Sequence, residues 1–496
     1  MNFPLPGIEA GPEIVSRSDA RATNSAAMRK SYIARVPIYP KSVHGTFRKL
    51  KWIAMSVLLA IYYLAPWIRW DRGPGEASQA ILVDLARERF YFFFIEIWPQ
   101  EVYYITGLLI VAAVGIFLAA ALLGRVWCGY ACPQTVWTDL FIFVEQLIEG
   151  DRGARIRLAA EPWGVKKVFK RVSKHFTWLA IAVLTGGAWV FYFTDAPTLA
   201  HDLLFGAAPW PAYVFIGFLT FTTYSLGGLM REQVCTYMCP WPRIQAAMTD
   251  NEALGVLYRR DRGEPRGSYR KGDLWNGRGD CIDCHQCVAA CPMGIDIRDG
   301  AQLECINCAL CIDACDDVMD RVGRPRGLIA YDTEANVERR LKGLPAVFHF
   351  IRARTVFYAV IMLLVGSAIV LGLANRSTVS LDVIRDRNPD FVSLSDGSTR
   401  NGYMLKLMNR SGFERNFELS LSGVRPKQVR VIGIDGSALP VNVSVPADRV
   451  RTLRLLLTVA KHDVRMGEQP ITFTLVNSLT HEKASVSAVF VSGSGS

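Results

Sequence analysis

Cysteine is missing from most of this chain. All twelve cysteines fall between residues 128 and 315 of 496, and none lies before or after. A disulfide framework would be spread through the folded domains. The clustering excludes that class and points to metal binding or redox chemistry in a reducing compartment. Histidine is scarce too, with seven in all, and the apolar runs hold none beyond the edge residues His175 and His201. A haem wire across a membrane needs paired axial histidines inside helices, so the redox chemistry is expected on one side only. The first fifty residues have no apolar core ahead of a small-residue cleavage site, so the first apolar run is expected to be an uncleaved anchor. The stretch DAPTLAHDLLFGAAPW contains no Lys or Arg.

The chain does contain much apolar sequence. With 51% hydrophobic and 20% charged residues it is too apolar for a soluble protein and too charged for a pure membrane bundle. A membrane core carrying soluble domains fits both figures. The net charge of +11 is explained by basic residues flanking the apolar runs, without nucleic acid. Five runs are long enough to span a bilayer: 51–69, 102–124, 176–194, 210–230 and 355–374. Arg29, Lys30, Arg35, Lys41, Arg48 and Lys49 precede the first. Arg152, Arg155, Arg157, Lys166, Lys167, Lys170, Arg171 and Lys174 lie between the second and third. The positive-inside rule then predicts a cytoplasmic N-terminus and an external C-terminus. The aromatic stretch RFYFFFIEIWP, Arg89 to Pro99, reads as an interfacial segment without chemistry.

The expected architecture is an α-helical membrane protein of about five transmembrane helices. It carries an inserted bacterial-type 2x 4Fe-4S ferredoxin module (α+β) and a C-terminal all-β immunoglobulin-like sandwich. Residues 1–50 form a cytoplasmic N-terminal segment. Residues 51–230 hold helices one to four and two CxxxCP motifs. Residues 231–353 form a cytoplasmic loop with the ferredoxin module at about 275–320. Residues 354–375 make the fifth helix, and 380–496 the external β-domain. In that last segment YMLKLMN, NFELSLSG, VRVIGI, VNVSV, RTLRLLLTV, ITFTLVN and ASVSAVFV alternate as short antiparallel strands. The β-domain shows no catalytic constellation and reads as a binding or structural domain.

The loop contains CIDCHQCVAACP and, 24 residues on, CINCALCIDACD. This is the two-cluster ferredoxin spacing, in which the fourth cysteine of each run serves the other cluster. Cys281, Cys284, Cys287 and Cys315 are therefore assigned to one 4Fe-4S cluster. Cys305, Cys308, Cys311 and Cys291 take the other. Zinc sites pair two C-x2-C units at longer separation, which favours iron–sulfur here. Asp316 replaces the usual Pro after Cys315, which bears on the environment of that cluster but not on its ligands. His285 lies inside the first run, where Cys fills every ligand position, and reads as second shell or surface.

WCGYACPQ and VCTYMCPW each follow an apolar run and place Cys-x-x-x-Cys-Pro at its mouth. On a helix the spacing of Cys128 and Cys132, or of Cys235 and Cys239, puts both thiols on one face. Pro133 and Pro240 predict that the helix ends at the second cysteine. Two such pairs at one depth converge into a four-thiol site. Soft thiolates suit Cu(I), zinc or iron–sulfur, or they shuttle to a cross-helix disulfide. The spacing leaves these alternatives open. Asp139, Glu145 and Glu149 read as the polar face of an amphipathic helix.

RVWCGYACPQTVWTDLFIFVEQLIEGDR, EQVCTYMCPWPRIQAAM and the double ferredoxin run resemble the cytochrome c oxidase accessory family CcoG, also called FixG or RdxA. The resemblance covers essentially the whole chain; the CxxxCP pair alone is shared with polyferredoxin-type membrane subunits. It implies a Gram-negative inner-membrane protein with a periplasmic β-domain, and a role in assembling cbb3-type haem–copper oxidase. The implied activity is reduction of Cu(II) to Cu(I), with Cys128, Cys132, Cys235 and Cys239 handling copper beside two 4Fe-4S clusters. The implied partners are the lipid bilayer, copper ions, the oxidase assembly machinery and an unidentified electron donor, with no nucleic acid. The alternatives are a quinol-dehydrogenase-type polyferredoxin subunit and a non-catalytic redox-sensing assembly scaffold.

Overall fold

The computed structural model describes residues 15–24, 36–72, 76–270, 272–375, 378–411, 413–434, 439–447, 449–464 and 467–493. Arg29, Lys30 and Arg35 of the basic flank lie outside them. The chain divides into two compact units, Met1–Asp71 with Ala77–Ile369, and Arg72–Glu76 with Val370–Ser496.

In chain order the helices are α1 (Thr46–Leu64), α2 (Tyr103–Leu123), α3 (Val126–Tyr130), α4 (Pro133–Glu149), α5 (Arg152–Ala160), α6 (Val165–Val190), α7 (Ala196–Leu204), α8 (Trp210–Thr222), α9 (Trp241–Met248), α10 (Arg260–Gly263), α11 (Gln286–Ala290), α12 (Leu310–Arg321), α13 (Glu334–Leu341) and α14 (Ala353–Ala374). By length and composition, four helical segments among the described residues suffice to cross a membrane: Thr46–Trp67, Tyr103–Leu123, Trp210–Met230 and Ala353–Ala374. Helix α2 is apolar on every side and buries only Tyr104, Ala120 and Ala121 within the protein, as a lipid-facing helix should.

The expected run 176–194 lies mostly on α6, which ends at Val190 and does not meet the same test. The reason is visible in its composition. Its first half carries Lys166, Lys167, Lys170, Arg171 and Lys174, and the apolar half contains Thr185, Gly186 and Gly187. Its buried stripe, including Trp178, Ala182 and Thr185, faces the bundle, while Phe176, Leu179 and Val183 stay exposed. Phe141 of α4, Trp178 and Val144 form one small core there.

The aromatic stretch after the first span is a small antiparallel sheet of β1 (Ile81–Asp84), β2 (Arg89–Phe92) and β3 (Ile95–Ile97). Its strands are only three or four residues long, and the run of aromatics hides their alternation. In the ferredoxin module β4 (Gly255–Tyr258) pairs antiparallel with β5 (Ile329–Asp332). Helices α11 and α12 pack on the core with Val256, Ile282, Val288, Ile312, Val318 and Ile329.

The second unit is a sandwich. One sheet has the order β10 (Gln428–Ile432), β12 (Arg449–Val459), β8 (Thr399–Asn409), β6 (Val379–Arg385), with β7 (Val392–Ser393) beside β8. The other runs β11 (Val441–Val445), β9 (Arg415–Ser422), β13 (Gly467–Asn477), β14 (Lys483–Ser492). Tyr403, Leu405, Leu407, Phe417, Leu455, Phe473 and Phe490 close the core between the sheets. From Thr399 to Leu407 of β8 buried residues alternate with half-exposed or exposed ones, so its sequence reads as a strand by eye.

Candidate functional site

The two ferredoxin motifs fold alike because they bend alike. Asp283 and His285 in the first, and Asn307 and Ala309 in the second, all take positive φ between 52° and 61°. Left-handed residues at matching places turn each loop sharply enough for its three cysteines to face inward. One pocket is lined by Cys281, Cys284, Cys287 and Cys315, with Tyr258 and His285 beside them. A second is lined by Cys291, Cys305, Cys308 and Cys311, with Cys287 also on its wall. All twelve cysteines are free of disulfides. No group of three His, Cys, Asp or Glu side chains among the described residues converges closely enough to hold a single ion. The thiols of the module instead ring a space, which is what a multi-atom cluster requires. Burial pushes the Cys291 thiol up to about 12 and that of Cys305 up to about 11. Such thiols stay protonated until a metal takes up the thiolate charge.

Asp316 has a structural explanation. Cys315 sits inside α12, which continues to Arg321, and Asp316 Oδ1 accepts from the Gly327 backbone N–H at 2.8 Å. Cys291 instead ends α11 in extended geometry, so a proline fits after it and would break α12 after Cys315. His285 Nε2 lies 3.0 Å from Asp283 Oδ1, and its Nδ1 lies 3.1 Å from the Ala20 carbonyl. It borders the first cavity as a half-buried neighbour of the thiols. Residues 15–24 lie along this edge, where Ser18 N–H donates to the Cys284 carbonyl at 2.9 Å.

Both CxxxCP motifs end as the prolines dictate. Cys132 and Cys239 are extended, with ψ of 128° and 122°, and α4 starts directly at Pro133. Each motif closes with a five-residue hydrogen bond, Cys132 N–H to Trp127 O at 2.9 Å and Cys239 N–H to Val234 O at 2.8 Å. The second motif is a π-helical turn, Val234–Met238, and the end of its span, Thr223–Met230, is π-helical as well. Such turns cost helix regularity and recur at functional sites.

The four thiols influence one another electrostatically. Burial pushes Cys128 up to about 12, with Cys132 and Cys239 adding to the shift and Arg125 opposing it. Burial also pushes Cys235 up to about 12, with Cys132, Cys239 and Cys128 contributing. Cys128 and Cys235 pack with Cys291, Cys305 and Cys308 around Met293, Ile295 and Ile306. The thiol group therefore adjoins the second cavity and not the first. The approach is backbone to backbone. A Cβ on Gly129 would meet the Ile306 carbonyl oxygen at 2.7 Å and the Asn307 carbonyl group at 3.1 Å. Tyr130 Oη donates to the Cys308 carbonyl at 3.2 Å. Arg125 fastens three segments together, donating to the carbonyls of Pro242 at 2.7 Å, of Cys305 at 3.5 Å, and of Leu303.

Asp139, Glu145 and Glu149 do not form a solvated polar face. They are 5%, 4% and 1% exposed. Asp139 pairs with Arg48 at 2.9 Å and Lys51 at 3.5 Å. Glu145 pairs with Arg231 at 2.7 Å, Arg155 at 3.1 Å and Lys174 at 3.3 Å, and Glu149 with Lys174 at 3.0 Å and Arg171 at 3.2 Å. Spacing along one helix does not reveal that basic residues from α1, α5 and α6, and Arg231 ahead of the second motif, fold over it. A pocket beside this network is lined by Asp139, Lys51, Arg231, Glu232 and Cys235 together with Ile142, Met293 and Ile306. Arg125 and Gln245 also escape sequence reasoning. Their only signal is position, three residues before Cys128 and six after Cys239.

Membrane helices joined to a ferredoxin module with two cysteine-ringed cavities define a membrane-bound iron–sulfur electron-transfer protein. Residues 230–334 match a family described as a 4Fe-4S dicluster domain, and residues 105–149 match a 4Fe-4S binding domain that includes Cys128 and Cys132. Residues 369–493 match the IG-like fold at the C-terminus of FixG. The chain is 50% identical to the nitrogen fixation protein FixG of Rhizobium meliloti over 499 residues, covering 95% of each. It is 53% identical to protein RdxB of Cereibacter sphaeroides, covering 87% of this chain and 90% of that one. To protein RdxA of the same organism it is 51% identical, covering 90% and 93%. The chain belongs to the FixG family.

Proposed function

We propose that the protein is a cupric reductase that assists copper insertion and assembly of a cbb3-type oxidase. The packing of Cys128 and Cys235 against Cys291, Cys305 and Cys308 is the observation that carries this reading. Cys281, Cys284, Cys287 and Cys315 would hold one 4Fe-4S cluster, and Cys291, Cys305, Cys308 and Cys311 the other. Bound there, the clusters supply single electrons at low potential.

The chain's own residues do the rest. Soft thiolates favour Cu(I) over Cu(II), so the quartet stabilises the product of a one-electron reduction. Arg125 sets a positive charge beside Cys128 and Cys305, which opposes part of the upward push that burial gives their thiols. The apolar side chains of Met293, Ile295 and Ile306 keep water away from the sulfurs. In this reading the ferredoxin module and thiols face the cytoplasm of an inner-membrane protein, and the sandwich faces the periplasm.

Complementation tests the role. In cells lacking this protein, oxidase activity should return with the wild-type chain and not with Cys235→Ala. Full rescue by that variant would favour a scaffold. The 4Fe-4S model over residues 105–149 favours a second reading, in which the quartet holds iron. Iron content separates the two: about eight atoms per chain for two clusters, about twelve for three.

A further inference from the structure

Beside the thiols, Gln245 is a buried polar side chain whose hydrogen bonding among the described residues is incomplete. Gln245 lies on α9, is 1% exposed, and its Oε1 is 3.5 Å from Cys128 Sγ. In that arrangement the thiol donates and the amide oxygen accepts. The other end of the same amide, Nε2, is buried and has no partner among the described residues. Buried amide donors are nearly always paired, and an orphan calls for an explanation. The residue is held firmly. Thr249 N–H donates to the Gln245 carbonyl at 2.8 Å, Arg125 ties the carbonyl of Pro242, and Trp241 stacks on Phe117 with centroids 5.7 Å apart.

A cysteine sulfur bound to copper has no proton left to give. It only accepts. Oε1 would then face sulfur lone pairs, an unfavourable meeting of two acceptors. An amide has an oxygen and a nitrogen of nearly the same size, so a half-turn about its last bond exchanges them without changing its shape. We propose that Gln245 is a positioning residue of the thiol site, turning its amide so that Nε2–H donates to Cys128 Sγ when that sulfur holds Cu(I). The inference rests on the copper reading above and names a residue that acts through a ligand. Donors to ligand sulfur orient the ligand and stabilise the metal-bound form, and removing one costs about 10–100-fold in metal affinity.

The test uses the full-length chain in detergent, anaerobic and with its clusters in place. Cu(I) affinity is measured by competition with a chromophoric chelator, alongside the near-ultraviolet thiolate-to-copper absorption. Gln245→Glu keeps the shape but offers no donor and adds a negative charge, whereas Gln245→Leu removes both ends. Each variant should lose about 10–100-fold in affinity with a shifted absorption band and unchanged cluster content, Gln245→Glu losing more. A purely structural role predicts the reverse order, since Glu fits the space better. Loss of affinity in Cys128→Ser but wild-type affinity and band in Gln245→Glu overturns the Gln245 role alone. Wild-type affinity in Cys128→Ser overturns the copper reading and this inference with it.

Discussion

Gly129 lies between the two cysteines of the first membrane-edge motif, and a side-chain carbon there would sit 2.7 Å from the carbonyl oxygen of Ile306. Ile306 in turn separates Cys305 from Cys308. The contact leaves no room for a side chain, because the obstacle is backbone on both sides. It places the thiol quartet next to the second cluster cavity and gives the two halves of the site a fixed spacing.

Gly129→Val is therefore expected to separate the thiols from the module, with a destabilisation of about 1–3 kcal/mol. Copper reduction by protein with pre-reduced clusters should slow at least about tenfold, while cluster absorbance is kept. Unchanged rates would show that the close approach has no functional part.

The crossed cysteine assignment predicts selective losses. Cys315→Ser should remove the cluster held with Cys281, Cys284 and Cys287, and Cys291→Ser the one held with Cys305, Cys308 and Cys311. Electron paramagnetic resonance of the reduced protein should then show a single remaining signal, with iron falling by about half. Loss of the same signal in both variants would refute the pairing.

The buried ionic network makes a pH prediction. Burial alone would raise the Glu145 carboxyl, but Arg231, Lys174 and Arg155 outweigh it and hold it down at about 2. The unfolded chain titrates near 4.3, so the folded state gains stability above that pH and loses it as pH falls toward about 2. Thermal stability should fall as pH drops from about 5 to about 2. Glu145→Gln leaves its cations without a counter-charge and should destabilise the protein by about 3–5 kcal/mol at neutral pH, with a shallower acid decline. An acid decline as steep as wild type would assign the pH effect to other carboxyls.

Sequence reading served unevenly across the chain. The seven strands named from alternation in residues 380–496 are all present as β8 to β14, because one face of each is buried and the period of two survives. Strand β6 was missed although VSLDVIR alternates, since it follows directly on a membrane helix. The eight ferredoxin cysteines line two adjoining pockets that share Cys287, on short loops whose left-handed turns leave little freedom. Gln245, Arg125 and the acidic residues of α4 were illegible for a common reason. Their meaning comes from partners 10 to 180 residues away, on other elements, which local patterns do not encode.

The central claim is that the membrane-edge thiols take copper beside the second cluster cavity. The most direct test is anaerobic Cu(II) reduction by purified protein with pre-reduced clusters, comparing wild type with Cys128→Ala/Cys235→Ala. Cluster absorbance and chelator-captured Cu(I) are followed together. The account predicts that wild-type clusters reoxidise in step with Cu(I), one electron per copper, and that the variant keeps its clusters but stalls. Equal reduction by the variant would contradict it and show that copper collects electrons elsewhere on the protein.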